Sequence, residues 1–292
     1  MAVIGTGRMG AAMARRLAAA GFPLVTNNRT IEVAEELARE LDAVAAATPG
    51  QAAGQADVVI TSLADDVAAR EVYLGGEGLV SGLRPGTVVL EMSTIDPLTV
   101  HEIGAAVDGT GAVMLDAPVS GSVSSVAGGT LTIMVGGDQA ALERVKPVLL
   151  AMAAKVVPVG PRGAGSITKL AVNGLVHGLN VALSEALVLA EQAGVDRSIA
   201  YDVFASGAGG APFVQYKRGA YEDPDGAAVA FSLDLVEKDL ELITGLAHRV
   251  GMPMEQAETG LEIVRKAIAV GMGDRDLSAI AVYLRDQAGS FK

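Results

Sequence analysis

Cysteine and tryptophan are both absent from the 292-residue chain. Without a thiol there is no disulfide, thiolate nucleophile, iron–sulfur cluster or cysteine-ligated zinc, so oxygen and nitrogen groups must carry any chemistry. Histidine is scarce as well: His101, His177 and His248 are the three present, and none stands at an HxxxH or similar ligand spacing. A metal-assisted reaction therefore has no visible ligand set, and each histidine reads as a structural or surface residue. Aromatic residues make up only 3%, which predicts a core of aliphatic side chains and alanine. Positive charge is outnumbered, with 22 Lys and Arg against 34 Asp and Glu and a formal net charge of −12. Bulk repulsion excludes nucleic acid and anionic membranes as broad partners. Long unbroken apolar runs are also missing. The uncharged stretch 117–137 is full of Gly and Ser, and 170–184 carries Asn173, His177 and Asn180, so neither reads as an apolar helix across ~30 Å of hydrocarbon. Met1-Ala2 leads directly into an apolar run and a glycine turn without a basic leader, and the expected location is cytoplasmic.

What is abundant is glycine, at 36 residues, within a chain that is 50% hydrophobic, a composition incompatible with disorder. The length reaches the ~250–300 residues at which single cores stop growing, so two domains are expected. Over 1–160, short β-rich runs at 2–4, 24–26, 57–63, 87–92 and 113–116 alternate with helical patterns at 11–20, 31–41, 67–73 and 97–107. That alternation predicts βαβ units and a parallel sheet. Strands at 130–135 and 155–159, flanking a helix at 139–153, bring the expected total to about eight. After Pro161 the alternation stops. Helical spacing predicts a long helix over 167–193 and others at 197–205, 233–250, 253–269 and 277–287, an all-α second domain over 161–292. Residues 206–230, rich in Gly and Pro, read as a connection, either a functional loop over a pocket or a plain surface loop.

The glycines first acquire meaning at Gly5-Thr6-Gly7-Arg8-Met9-Gly10, which directly follows the strand 2–4 and directly precedes an Ala-rich helix. Gly5 permits a tight turn, Gly7 lets backbone N–H groups approach a pyrophosphate, and Gly10 lets helix pack on strand, with phosphate facing the helix N-terminus. The acid that NAD enzymes place on the ribose 2′-hydroxyl about 20 residues later is missing; Asn28-Arg29-Thr30 stands there instead. A guanidinium beside a hydroxyl suits a 2′-phosphate by charge and bidentate geometry, which points to NADPH over NADH. Stacking on adenine or capping a helix are the other uses open to Arg29.

Hydride transfer to or from a nicotinamide requires a proton donor or acceptor on the substrate. The long helix offers Lys169 and Asn173, four apart and so on one face, preceded by Gly163 and Gly165 and flanked by Leu170, Ala171 and Val172. A partly desolvated lysine has a lowered pKa and can serve as general acid near neutral pH. Spacing alone leaves a solvated surface lysine equally open.

These pieces in this order resemble the β-hydroxyacid dehydrogenases, the group that includes 3-hydroxyisobutyrate dehydrogenase and glyoxylate/succinic semialdehyde reductase, over nearly the whole chain. The shared motifs are residues 4–10, then Asp116-Ala117-Pro118-Val119-Ser120-Gly121-Ser122, the Gly-rich approach to Lys169 and Asn173, and Lys238-Asp239. The resemblance implies a Rossmann domain followed by an all-α domain, as in 6-phosphogluconate dehydrogenase. It implies Lys169 as general acid/base, with Asn173, Ser120 and Asp239 completing the catalytic set, Asn173 by orienting the lysine or holding the substrate hydroxyl. Ser120, Gly121 and Ser122 would hold a substrate carboxylate, with Thr94 and Phe231 beside the rest. Thr94 also resembles the family's contact to the nicotinamide ribose, Leu63-Ala64 a loop under the cofactor, and Lys238 a lysine reaching the cofactor with Asp239 as its orienting partner. The Ser-Gly-Ser form, Asn28-Arg29-Thr30 and Phe231 look most like the NADPH-linked semialdehyde reductases. Ser122 replaces a glycine and Val172 an asparagine common among 3-hydroxyisobutyrate dehydrogenases. The expected partners are a small carboxylated aldehyde or hydroxyacid and further copies of the chain, as dimer or tetramer. Oxidation of 3-hydroxyisobutyrate or another β-hydroxyacid is the alternative activity. Retention of Lys169 speaks against an imine reductase or a non-catalytic NADPH-binding protein.

Overall fold

The computed structural model describes residues 1–289, and the chain divides into two compact units, Met1–Leu170 and Ala171–Lys292. The first runs β1 Ala2–Ile4, α1 Arg8–Ala19, β2 Val25–Asn27, α2 Ile31–Leu41, β3 Val44–Ala45, α3 Pro49–Gly54, β4 Val58–Thr61, α4 Asp66–Leu74, α5 Leu79–Gly82, β5 Val88–Glu91, α6 Pro97–Asp108, β6 Val113–Asp116, β7 Val119–Ser120, α7 Val123–Ala127, β8 Leu131–Gly136, α8 Gln139–Met152 and β9 Ala153–Gly160. Its sheet has nine strands in the order β3-β2-β1-β4-β5-β6-β8-β7, with β9 paired to β8. Against an expected total of about eight, the seven runs read as strands leave out β3 and β7, two-residue strands too short to alternate visibly. The expected parallel sheet holds from β1 to β6, but β8 runs antiparallel to both β6 and β7.

Period-2 alternation sorts the strand residues between two cores. Val3, Ile60, Leu90 and Leu115 face α1 and α8 through Met13, Leu17, Leu142 and Leu149. Their neighbours Ile4, Val59, Val89 and Met114 face α3, α4 and α6 through Ala52, Tyr73, Val100 and Ile103. Helices thus cover both faces, the doubly wound arrangement of parallel sheets, and the buried side chains are aliphatic with Tyr73 as the aromatic exception.

The long helix α9, Ala164–Gln192, begins in the first unit and continues into the second. The second unit adds α10 Arg197–Ser206, α11 Pro212–Glu222, α12 Leu233–Val250, α13 Glu255–Ala267 and α14 Ala279–Ala288. A wider turn over Ile268–Met272 carries Gly271 at φ +88. The connection expected over 206–230 contains α11, which Pro212 starts at its first turn and whose Phe213, Val214, Lys217 and Tyr221 are buried along one face. Gly219 and a lysine at a core position hid that helical pattern. The Lys217 ammonium lies 2.7 Å from Asp276 Oδ2 with both side chains buried.

By length and hydropathy α9 qualifies as a membrane span, contrary to the expectation that its polar residues rule it out. Those polar residues are largely engaged by the protein itself: Asn180 Nδ2 donates to Leu277 O at 3.0 Å, Tyr221 donates to Asn180 Oδ1 at 2.8 Å, and Ser184 donates to Asn180 O at 2.7 Å.

Candidate functional site

In the sheet order, β1 and β4 are neighbours from which the chain winds in opposite directions, and such a switch point leaves a crevice at the carboxyl ends of the strands. The Gly5–Gly10 turn lies there. Gly5 has φ +84, and a Cβ on it would fall 2.3 Å from Ser62 O; one on Gly10 would fall 2.0 Å from Gly5 O. Both positions are closed to larger residues by backbone alone. At Gly7, by contrast, nothing lies within 4 Å of an added Cβ. Gly7 caps α1 with no side-chain acceptor, α1 has no acid in its first turn, and the buried Thr6 Oγ1 has no hydrogen-bond partner. An open helix N-terminus with a spare hydroxyl fits a pyrophosphate by charge and by donor count. Arg8 is exposed at the first helical position, and Met9 packs partly into the core.

At the end of β2, Asn27 is buried while Asn28 is half-buried and Arg29 and Thr30 are exposed. Asn28 Nδ2 bonds Thr30 O at 3.2 Å, closing a short turn that displays Arg29. Thr30 caps α2 without a side-chain hydrogen bond.

Direct bonds link the next strand ends. Leu63 N donates to Ser93 Oγ at 2.8 Å, and Ser93 N donates to Glu91 Oε1 at 2.7 Å. Glu91 Oε2 accepts Thr61 Oγ1 at 2.6 Å, and Tyr73 OH lies 2.9 Å from the same hydroxyl. Burial pushes the Glu91 carboxyl up from its ordinary value, although these donors pull the other way. Ala64 is exposed and Thr94 half-buried. One residue past Thr94, Ile95 O accepts the Ser166 hydroxyl. Asp116, buried at the end of β6, accepts Gly163 N and Ser166 N, each at 2.9 Å. This carboxylate therefore anchors the first turn of α9 on the strand ends, in the manner of a helix cap. Burial raises its pKa, opposed by those backbone donors. A Cβ on Gly136 would lie 2.5 Å from Asp116 Oδ1, and one on Gly165 would lie 2.5 Å from Asp116 O. Lys169, half-buried, follows Ser166 by one turn. The fold thus brings the glycine turn, Leu63, the segment at Thr94 and the turn carrying Lys169 into one contiguous series.

The Ser120-Gly121-Ser122 turn closes β7, where Ser120 pairs with Thr132 of β8. Gly121 has φ +134, and a Cβ there would meet Leu131 and Ser125 within 3 Å. Ser122 is engaged at α7: its N–H donates to Ser125 Oγ at 3.1 Å and its hydroxyl lies 2.7 Å from Ser124 Oγ.

In the second unit Asn173, Asp239, Lys238 and Phe231 gather around a residue that sequence reasoning set aside. Asp239 is fully buried. Its Oδ2 accepts Asn173 Nδ2, and its Oδ1 lies 2.9 Å from Lys238 Nζ. His177 Nε2 stands 3.5 Å from Oδ2, longer than a formed hydrogen bond, and its ring lies 5.9 Å from that of Phe231. Burial opposes ionisation of Asp239, but His177 and Lys238 outweigh it and hold the carboxyl down at about 2. Phe231 N and Ala230 N both donate to Asp276 Oδ2, so the Lys217–Asp276 pair fixes the start of α12. No local pattern announces His177, Lys217 or Asp276. The acids closing β5 and β6 at least stood where strand ends carry ligand-facing residues.

A glycine turn on an open helix N-terminus at a topological switch point defines a dinucleotide-binding protein. Residues 1–160 match the family model described as the NAD binding domain of 6-phosphogluconate dehydrogenase, and residues 163–284 match that described as NAD-binding of NADP-dependent 3-hydroxyisobutyrate dehydrogenase. The chain is 34% identical to an NAD-dependent L-serine dehydrogenase of Pseudomonas aeruginosa, covering 96% of each. It is 33% identical to a 3-sulfolactaldehyde reductase of Escherichia coli, covering 99% of this chain and 97% of that one. A crystal structure of 3-hydroxyisobutyrate dehydrogenase from Salmonella typhimurium superposes with a TM-score of 0.89 at 31% identity, covering 97% and 98% of the two chains. The chain belongs to the β-hydroxyacid dehydrogenase family and is an NAD(P)-dependent oxidoreductase.

Proposed function

We propose that this enzyme is an NADPH-dependent reductase of short carboxylated aldehydes, of the glyoxylate or succinic semialdehyde type, with Lys169 as the general acid/base. The observation that carries this reading is the placement of Lys169 on a helix turn pinned to the strand ends by Asp116 and Ser166. The cofactor, held at the Gly5–Gly10 turn, would supply the hydride that the carbonyl carbon takes. Lys169 Nζ gives a proton to the carbonyl oxygen as negative charge develops there, which lowers the barrier by general acid catalysis. In the oxidative direction the same nitrogen takes the proton back.

Ser120 and the backbone of Gly121 take the substrate carboxylate, because a glycine turn at positive φ exposes donors; Ser122 contributes by holding that turn on α7. Asn173, Thr94 and Phe231 position the rest of the substrate, and Asp239 orients Asn173 and Lys238. Gly5, Thr6, Gly7 and Gly10 receive the pyrophosphate, flanked by Arg8 and Met9. Leu63, Ala64, Thr94 and Lys238 line the remainder of the cofactor. Arg29, exposed between Asn28 and Thr30, supports the preference for a 2′-phosphate.

A second reading, NAD-linked oxidation of a β-hydroxyacid such as 3-hydroxyisobutyrate, draws support from the NAD dependence named for the Pseudomonas relative. The boundary near residues 160–161, a cytoplasmic location and assembly as a homodimer or homotetramer belong to the same proposal. Leu175 and Leu189, 68% and 72% exposed on α9, favour assembly with further copies. A panel of short aldehydes, keto acids, cyclic imines and β-hydroxyacids against both cofactors tests the reading. NADPH with a carboxylated aldehyde should give the highest kcat/KM, and Lys169→Met should lower kcat by roughly 10²–10⁴-fold. Unchanged turnover in that variant would sink the mechanism.

A further inference from the structure

His177 is 3% exposed, and neither of its ring nitrogens has a hydrogen-bond partner. An imidazole desolvated in this way is costly to keep, and an aliphatic residue would fill the same space without the penalty. Its surroundings indicate what it does. Asn173 and His177 are one helical turn apart on α9, and both are directed at the Asp239 carboxylate of α12. A carboxylate only accepts hydrogen bonds, so it selects the NH2 end of the Asn173 amide and turns the amide oxygen to the opposite side. The orientation of Asn173 is therefore only as fixed as the carboxylate that holds it. Lys238 draws on Oδ1 at 2.9 Å, while Oδ2 faces Asn173 and, at 3.5 Å, His177 Nε2.

We infer that His177 is a positioning residue: its Nε2–H restrains Asp239 Oδ2 against the pull of Lys238 on the other oxygen, and so sets the Asn173 amide. The inference rests on the reading above, in which Asn173 acts on the substrate. The imidazole turns Nε2 toward the carboxylate, with its ring tilted 36° to that of Phe231. A movement of about 0.5 Å brings Nε2 into hydrogen-bond range of Oδ2, a smaller change than any rotamer switch.

His177→Phe preserves a ring beside Phe231 and removes both nitrogens, while His177→Gln retains a side-chain donor. Kinetics with NADPH and the best carbonyl substrate, together with NMR of the Asn173 side-chain amide in cofactor-free protein, test the inference. In His177→Phe kcat should fall about tenfold while KM for NADPH stays within about twofold. His177→Gln should recover most of that loss. The two Asn173 amide protons should be separate and slow to exchange in the wild type, averaged in His177→Phe and separate again in His177→Gln. Thermal unfolding is followed in parallel, and His177→Met replaces His177→Phe if the latter loses a cooperative melt. Wild-type kcat together with unaltered Asn173 resonances in the nitrogen-free variant overturns the inference. If Lys169→Met also retains full turnover, it is the proposed function that fails, and the Asn173 resonances still decide the role of His177.

Discussion

The two units place chemistry by different means. In the sheet unit the candidate pyrophosphate contacts are backbone: a glycine turn and a helix N-terminus, held by residues whose lack of a side chain is the requirement. In the helical unit the buried polar candidates Asn173 and Asp239 are side chains, each held by another side chain, Asn173 by Asp239 and Asp239 also by Lys238. Backbone sites tolerate changes of charge nearby and fail when atoms are added. Side-chain sites fail when one partner is removed, because the other is left buried and uncompensated.

That contrast is best broken at its strongest point. Lys217→Met leaves the buried Asp276 carboxylate with backbone donors but no counter-charge and should cost about 3–5 kcal/mol, read as a lowered urea midpoint; a change below about 1 kcal/mol would show the pair to be well solvated. Asp239→Asn removes a carboxyl held at about 2 in the folded protein, against ~3.9 when unfolded. Because its folded value is depressed, its contribution is full above the unfolded value and is lost as pH falls through the folded one, amounting to about 2–3 kcal/mol. Urea titrations from pH 7 to pH 3 should therefore fall less steeply in Asp239→Asn than in the wild type. Arg29→Ala should raise KM for NADPH about tenfold and leave NADH unchanged, the selectivity expected of a guanidinium on a 2′-phosphate. Equal effects on both cofactors would move Arg29 to the adenine.

The smallest effect carries the opposite sign. Glu91 has a raised pKa, so its contribution is largest below the unfolded value of ~4.3 and is lost as pH rises through the folded one. Glu91→Gln, with its oxygen accepting Ser93 N and its NH2 facing the Thr61 hydroxyl, should flatten that loss. A steeper decline in stability above pH 5 would show that the ionised form is the one the fold requires.

The same contrast explains what could be read in advance. The glycine turn, the strand–helix alternation through β6 apart from the short β3, α3 and α5, and the boundaries of α12 were legible because each is a local pattern: three glycines at fixed spacing, period 2 against period 3.6, and start and stop signals. Lys169 and Asn173 were legible as neighbours because a helix makes them so. His177 and Asp239, 62 positions apart by number, share no local signature, and neither do Lys217 and Asp276. Their meaning arises only when α9, α11 and α12 pack. The helix within 206–230 escaped notice for a related reason: its buried face includes Lys217, a residue that marks a surface until its partner is known. The reverse strand β8 follows from a tertiary pairing that spacing does not encode.

Asp116 has a consequence for inheritance. Its carboxylate leaves no room for a side chain at Gly136, its main-chain carbonyl and carboxylate together leave none at Gly165, and the carboxylate supplies the acceptors for the start of α9. These three positions lie on different elements, and none can change alone without blocking or releasing the others. A lysine grafted onto a related scaffold at the place of Lys169 would arrive in register only if that acid and both glycines travelled with it. Descendants of this fold are free to alter their substrate long before they are free to alter this corner.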